Sequence, residues 1–322
     1  MWALVRLHKL LFQVGVLRAQ RLPVPVVVVG NLIVGGAGKT PTVMAVVALL
    51  KQQGFRPGIV SRGYGRNTDA VQEVNATTPA LEVGDEPLLL HLRCRVPVCV
   101  GRNRVAAAQR LLHAHPQVNI IVSDDGLQHH RLLRDAQVVV FDERGVGNGW
   151  LLPAGPLREP CLKSPAARSV VIYNAEQPSC RWPGEIVQRS LAGVVLLNDW
   201  WAGQPATQEA LQALRDKPVW AAAGMAQPER FFSMLRSAGL VQLRTLPLPD
   251  HFDFNTLPWP ADALDVIVTE KDAVKLQPAR VGNRVGNVRV WVAPLNFALH
   301  PASRAALLSL LPLPCSIQAS QN

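Results

Sequence analysis

The run Val26-Val-Val-Val-Gly-Asn-Leu-Ile-Val-Gly-Gly-Ala-Gly-Lys-Thr-Pro41 constrains this chain more than any other. Its unbroken β-branched stretch suits a strand buried on both faces, and it ends in a glycine-rich turn. The segment from Thr42 to Lys51 then has helical composition. Strand, glycine turn and helix in that order turn backbone N–H groups and the positive end of a helix toward an anion. Gly35, Gly36, Ala37 and Gly38 supply the turn. In such a loop Lys39 is expected to reach the outer phosphates of a nucleotide and the Thr40 hydroxyl suits Mg²⁺; a glycine-rich strand-to-helix turn with a chance lysine is the alternative. The usual phosphate loop has a glycine five residues before Gly38, where this chain has Ile33.

The rest of the chain repeats the alternation. Apolar runs at Val26–Val29, Gly58–Ser61, Val96–Val100, Asn119–Ser123, Gln137–Phe141 and Ser169–Tyr173 predict strands, and Lys39–Gln53, Glu86–Cys94 and Arg102–Ala114 predict helices. A second set follows, with strands near Val194–Leu197, Val219–Ala222, Val241–Leu246, Asp265–Thr269 and Val288–Ala293 and helices near Pro228–Ala238 and Pro301–Leu311. Asn198-Asp-Trp-Trp-Ala-Gly-Gln-Pro205 reads as the linker. The expected fold is α/β: a P-loop NTPase-type parallel sheet domain over residues 23–198 and a second, smaller α/β domain over 199–322. Residues 1–22 are expected to form an amphipathic, membrane-associated helix. Trp2, Leu4, Val5, Leu7, Leu10, Leu11 and Phe12 alternate there with Arg6, Lys9, Arg18 and Arg21. Packing of that helix on the protein itself is the competing reading.

The formal charge of +10 leaves three partner classes: nucleic acid, an anionic membrane or a phosphorylated substrate. Two tyrosines and no basic-aromatic repeat argue against nucleic acid. Five cysteines without a Cys-x-x-Cys pair point to free thiols rather than a disulfide framework or a zinc site. No run of 18 apolar residues is present to span a membrane.

Four further segments could carry chemistry. Asn119-Ile-Ile-Val-Ser-Asp-Asp-Gly126 ends an apolar strand in two carboxylates, which in a nucleotide-binding sheet lie beside the phosphate loop and can hold Mg²⁺; a simple Asp-Gly turn is the alternative. Asp85, ahead of an apolar helix, is either an N-cap or a carboxylate that takes a proton from an attacking hydroxyl, and the sequence leaves both open. Ser61-Arg-Gly-Tyr-Gly-Arg66 offers arginines for phosphate or sugar recognition. Gly145–Pro160 is a Gly/Pro-rich loop expected to face substrate, with Arg158-Glu159 as its charged pair. His251, one of eight histidines, has nothing in composition to single it out, and Thr269–Lys275 is a charged cluster for a domain or ligand contact.

In this order, Gly-Gly-Ala-Gly-Lys-Thr-Pro, Ser-Arg-Gly-Tyr-Gly, Gly-Asp-Glu-Pro, Ser-Asp-Asp-Gly-Leu-Gln-His, Leu-Leu-Pro-Ala-Gly-Pro-Leu-Arg-Glu-Pro, Pro-Asp-His and Thr-Glu-Lys-Asp-Ala-Val-Lys resemble the tetraacyldisaccharide 4'-kinases of Gram-negative bacteria across residues 24–276. Ile33 matches that family's own loop variant. The resemblance implies transfer of the γ-phosphate of ATP to the 4'-hydroxyl of a tetraacylated glucosamine disaccharide 1-phosphate, giving lipid IVA, at the cytoplasmic face of the inner membrane. It implies ATP and Mg²⁺ as cofactors, no nucleic acid and no obligate protein partner. It gives Gly35–Thr40 and Arg158 to the nucleotide, and Thr40, Asp124, Asp125 and Glu159 to the metal. It makes Asp85 and His251 the catalytic pair, and gives Ser61, Arg62 and Tyr64 to the lipid headgroup. Phe252 stands where a second histidine is common in the family. The competing classes are another ATP-dependent enzyme, such as a ligase or metal-insertion NTPase, and a non-enzymatic ATP-switched membrane protein. Such switches often carry a lysine at the position of Val34.

Overall fold

The computed structural model describes residues 18–66, 68–278 and 288–313. Strand β1 (Val26–Gly30) is buried along its whole length, as its valine run requires. After it come α1 (Lys39–Gln52), β2 (Pro57–Ser61), β3 (Gln72–Glu73), α2 (Ala80–Val83), α3 (Asp85–Cys94), β4 (Val98–Val100), α4 (Arg104–Ala114), β5 (Ile120–Asp124), β6 (Ala136–Asp142), β7 (Ser169–Asn174) and β8 (Glu185–Ile186). These strands form one sheet in the order β3-β4-β2-β5-β1-β6-β7-β8, parallel except for β3. The chain winds away from β1 on one side through β2 and β4, and on the other through β6 and β7. Such a reversal opens a crevice at the carboxyl ends of the strands.

The pleat divides the core. Val27 and Val29 face the apolar cluster containing α1 and α3, while Val26 and Val28 face the one containing α4. Helix α4 starts where the Asn103 side chain accepts from the amides of Val105 and Ala106, at 3.1 and 3.3 Å. Helix α1 starts differently. Its N-cap is Gly38 in the left-handed region, with no side-chain cap and no acid in the first turn, so its positive end is left for an outside anion.

The second half begins with β9 (Gln188–Leu191), β10 (Val195–Leu196), α5 (Leu197–Ala202), α6 (Gln208–Gln212) and β11 (Val219–Ala223). It continues through α7 (Pro228–Ser237), β12 (Leu243–Pro247), β13 (Asp265–Thr269), α8 (Glu270–Ala273), β14 (Arg289–Ala293), β15 (Leu295–Ala298) and α9 (Pro301–Ser309). Its five-stranded sheet runs β10-β14-β13-β11-β12, parallel except for β10. Strands β9 and β15 form a separate antiparallel ribbon, and α9 returns to β7 of the larger sheet.

Two sequence expectations change, and a third lies mostly outside the described residues. Residues 198–205 are not an extended linker: most of them form α5, whose Trp200 is buried and donates its indole N–H to Glu270 Oε1 at 3.1 Å. The chain has already joined the second sheet at β10, ahead of residue 198. The helix expected over 1–22 falls mainly on residues 1–17, outside the described residues. Residues 18–22 are not helical, and Gln20 makes a bridge to Leu132. Among the described residues no helix is long and apolar enough to cross a membrane.

Candidate active site

Every parallel strand of the larger sheet delivers its C-terminal end to the same edge, which brings distant motifs together. β1 delivers the phosphate loop. Lys39 is buried, and its ammonium donates to Asn31 Oδ1 and to the Gly35 carbonyl, both at 3.3 Å. Buried Asn31 braces the loop in turn by donating to that same carbonyl at 3.2 Å. The loop is also held from outside. Asp142, at the end of β6, grips Arg144, whose guanidinium donates to the carbonyls of Val34 and Gly36 at 3.2 and 3.4 Å. Asn174, at the end of β7, donates to the Ala37 carbonyl at 3.2 Å. Gly38 has φ +90°, and a Cβ there would overlap the Asn174 amide.

Ile33 now has a structural role. It is fully buried and forms an antiparallel bridge with Leu157, flanked by Val34 N–H to the Pro156 carbonyl and Arg158 N–H to the Leu32 carbonyl. Where the common pattern has glycine, this chain bridges to the segment that carries Arg158 and Glu159.

β5 ends in Asp124 and Asp125, and the two diverge. Asp124 is 2% exposed; its Oδ2 accepts from the Ser61 hydroxyl at 2.8 Å and its Oδ1 has no hydrogen-bond partner. Burial, with the negative charges of Glu86 and Asp125, pushes its pKa up to about 7. Asp125 has φ +47°, unfavourable for an L residue, and is held there by three groups. Arg158 Nη1 donates to both of its carboxylate oxygens at 2.8 and 2.9 Å, Lys39 Nζ lies 3.8 Å from Oδ1, and buried Arg104 donates to its carbonyl at 3.5 Å. Burial lowers the Arg104 pKa to about 10.

Glu159 is buried and accepts from Gln128 Nε2 at 3.1 Å, and the same amide donates to the Asn31 carbonyl. Among the described residues no three His, Cys, Asp or Glu side chains converge as a metal cage. The residues nevertheless fit a Mg²⁺–phosphate group. Asp124 Oδ1 is a buried hard donor without a partner, and Mg²⁺ typically takes one or two carboxylates and completes its shell with phosphate oxygens and water.

A second group of residues lies at this same edge, where Gly84 packs against the backbone of Gly63 and Tyr64 beyond β2. Gly84 is the N-cap of α3 and Asp85 its first helical residue, so the N-cap reading of Asp85 fails. Asp85 Oδ1 accepts from the Glu86 amide at 2.9 Å, and Oδ2 meets His251 Nδ1 at 2.9 Å. His251 comes from the turn after β12 of the second sheet, at φ +61°. Burial pushes the Asp85 pKa up, but the His251 hydrogen bond and the charges of Lys271, His251 and Lys275 outweigh it and leave it below the usual carboxylate value. The Asp85 hydrogen bond raises the His251 pKa against the opposing effect of burial.

Tyr64 is 71% exposed, with its ring 6.0 Å from that of His251, and Arg62 is exposed in the same loop. Ser61 is a correction: it is buried and donates to Asp124 rather than opening toward a headgroup. The parallel pairing of β2 with β5 sets the last residue of one strand beside the last of the other. Asn31, Arg104, Gln128, Arg144 and Asn174 were not assigned roles from the sequence. Only Asn31 and Gln128 fell inside recognisable motifs, because the other three act through sheet topology.

A phosphate loop with a buried lysine, an acidic pair at the end of the neighbouring strand and an Asp–His pair define a phosphotransferase of the P-loop class. The family model for LpxK, tetraacyldisaccharide-1-P 4'-kinase, matches residues 1–312, and the chain belongs to that family. Tetraacyldisaccharide 4'-kinase of Methylibium petroleiphilum is 58% identical over 299 residues, covering 92% of this chain and 83% of the relative. That of Leptothrix cholodnii is 55% identical over 308 residues, covering 96% and 88%. The crystal structure of LpxK from Aquifex aeolicus in complex with ATP superposes with a TM-score of 0.78 at 25% identity, covering 97% of this chain and 96% of that one.

Proposed function

We infer that this protein transfers the γ-phosphate of ATP to the 4'-hydroxyl of a tetraacyldisaccharide 1-phosphate, the 4'-phosphorylation of lipid A synthesis. The observation that carries it is the Asp85–His251 pair, in which the first residue of α3 meets the turn after β12 of the second sheet. A ligase or an ATP switch has no need of that pair, and the family membership favours neither.

The amides of Gly35–Thr40, the α1 N-terminus and Lys39 bind the phosphates, and Thr40 with Asp124 faces Mg²⁺. Mg²⁺, when bound, neutralises charge on the transferred group. Arg158 and Glu159 border the same phosphates, with Arg158 already aimed by Asp125. A sugar hydroxyl is a weak nucleophile. Asp85, ionised and with each oxygen bonded to a single partner, has lone pairs free to orient that hydroxyl and accept its proton. His251 fixes the carboxylate and favours its charged form. Arg62 and Tyr64 flank the approach and suit the disaccharide headgroup.

The acceptor is acylated, so the reaction belongs at a lipid surface, and we assign the protein to the cytoplasmic face of the inner membrane. The charge of +10 supports this. So does a cavity of about 980 Å³ at the 146–161 loop, lined by Leu151, Leu152, Pro153, Leu157 and the 66% exposed Trp150.

The test is incubation with labelled ATP, Mg²⁺, detergent and tetraacyldisaccharide 1-phosphate. Lipid labelling is expected, and Asp85→Ala is expected to reduce turnover by about 10²–10⁴-fold with ATP affinity retained. ATP hydrolysis indifferent to lipid sinks the reading. For the membrane assignment, partition onto anionic vesicles is compared with and without residues 1–20, and equal binding removes that segment from the account.

A further inference from the structure

The Asp85–His251 contact joins two sheets through a residue in a disfavoured conformation. His251 has φ +61°, and its ring is one-third exposed or more, so the single bond to Asp85 does not by itself fix it. The turn that carries it is held elsewhere. Asp250 Oδ1 accepts from the His251 backbone amide at 3.1 Å, and the same oxygen accepts from Lys271 Nζ at 3.1 Å. Lys271 Nζ also lies 3.7 Å from Glu86 Oε1, on α3, one residue from Asp85. Lys271 stands in α8, at the end of β13, so one ammonium touches the His251 turn and the helix of the other sheet that carries Asp85.

We propose that Lys271 is a positioning residue for phosphoryl transfer: it clamps the Asp250 turn to Glu86 and thereby holds His251 on Asp85 as the acceptor hydroxyl arrives. The proposal rests on the role given above to Asp85 and His251. The charged groups facing the pair are Lys271, Lys275, Asp250 and Glu86, with the Tyr64 ring beside His251. Lys275 is engaged differently, by Asp272 at 3.3 Å and over the Phe254 ring at 5.4 Å, and bridges neither Asp250 nor Glu86. Burial lowers the Lys271 pKa, but Glu86, Asp85 and Asp250 together outweigh it and raise it, so the clamp is charged throughout the working range.

Lys271→Met keeps the stem and removes the charge; Lys271→Arg keeps the charge. With saturating lipid, Lys271→Met is expected to lower kcat by about 10- to 100-fold with the KM for ATP within about twofold. Its acid limb in the kcat–pH profile moves to higher pH, because loss of the positive charge and a loosened His251 both favour protonation of Asp85. Lys271→Arg restores most of the turnover and returns the limb. Unchanged kcat and an unmoved limb in Lys271→Met overturn the proposal, as does an ATP KM that worsens in step with kcat. Asp85→Asn, run alongside, separates the two levels. Normal turnover there overturns the catalytic pair itself, whereas a slow Asp85→Asn beside a normal Lys271→Met overturns only the clamp.

Discussion

Asp124 and Asp125 are neighbours with opposite environments, and the difference sets how the site responds to pH. Asp125 is paired with Arg158 and Lys39, while Asp124 is buried beside Glu86 with one oxygen unpartnered. A carboxylate must lose its proton to ligate a metal, so with Asp124 in its proposed metal role and its pKa raised by burial, protons compete with Mg²⁺ for it as the pH falls below about 7. Mg²⁺ titrations of ATP turnover are expected to show weaker apparent affinity below that point, by up to about tenfold per pH unit. An apparent Mg²⁺ affinity that is flat between pH 6 and 8, or about there, removes Asp124 from the metal shell. The Asp85–His251 pair titrates with the opposite logic at its two ends. Asp85 is lowered from 3.8 and His251 raised from 6.5. The stability from Asp85 is therefore present above 3.8 and lost as pH falls through its lower folded value. That from His251 is present below 6.5 and lost as pH rises through its higher folded value. The Tm gap between the native protein and His251→Gln is expected to be widest between these limits and to narrow on either side.

At the scale of the element, the phosphate loop is held by what surrounds it. The bridge of Ile33 to Leu157 makes the 145–160 loop one structural piece with the phosphate loop. Ile33→Ala removes a fully buried side chain and is expected to cost about 2–4 kcal/mol, read from denaturant unfolding. The same variant should lose turnover beyond that, because Arg158 follows Leu157 directly. Gly38→Ala places a Cβ at φ +90° against the Asn174 amide, and nucleotide binding by titration calorimetry is expected to weaken by about tenfold or more. The strands and helices that frame these loops were legible in the sequence because each is long and periodic. Elements such as β3, β8, β9, α2 and α8 were not, since two to four residues carry no readable period.

At the scale of the whole molecule, the two sheets share an apolar core. One cluster runs from Val27, Val46 and Leu88 through Trp200 to Phe254, Val266 and Leu307. A buried polar contact crosses the same seam. Glu270 of α8 accepts from Arg93 of α3 at 2.8 Å, from the Trp200 indole at 3.1 Å and from the Leu295 amide at 3.4 Å. Glu270→Ala strands these donors and is expected to destabilise by about 3 kcal/mol, seen as a lower Tm in calorimetry. At the exposed rim, Glu143 pairs with Arg230 of α7 and Arg189 of β9. Arg230→Met there is expected to change stability by less than about 1 kcal/mol.

What the chain determined by itself is local. A β-branched run, glycines with Lys39 and Thr40, and two acids after an apolar strand each carry their chemistry within a few residues. They therefore announced a phosphate site, and their collinear order matched a family. What only tertiary structure decided is everything that depends on distance. Whether Asp85 caps a helix or takes a proton was open until His251, 166 residues away, appeared at 2.9 Å from its carboxylate. Ser61, expected at a headgroup, instead donates to Asp124 because strand pairing set the two side by side. Ile33 became a buried bridge residue because Leu157 lies opposite it. A side chain's chemistry is fixed by its type, but its pKa and its role depend on which charges, hydrogen bonds and buried surfaces surround it. Those surroundings come from parts of the chain that meet only when it folds.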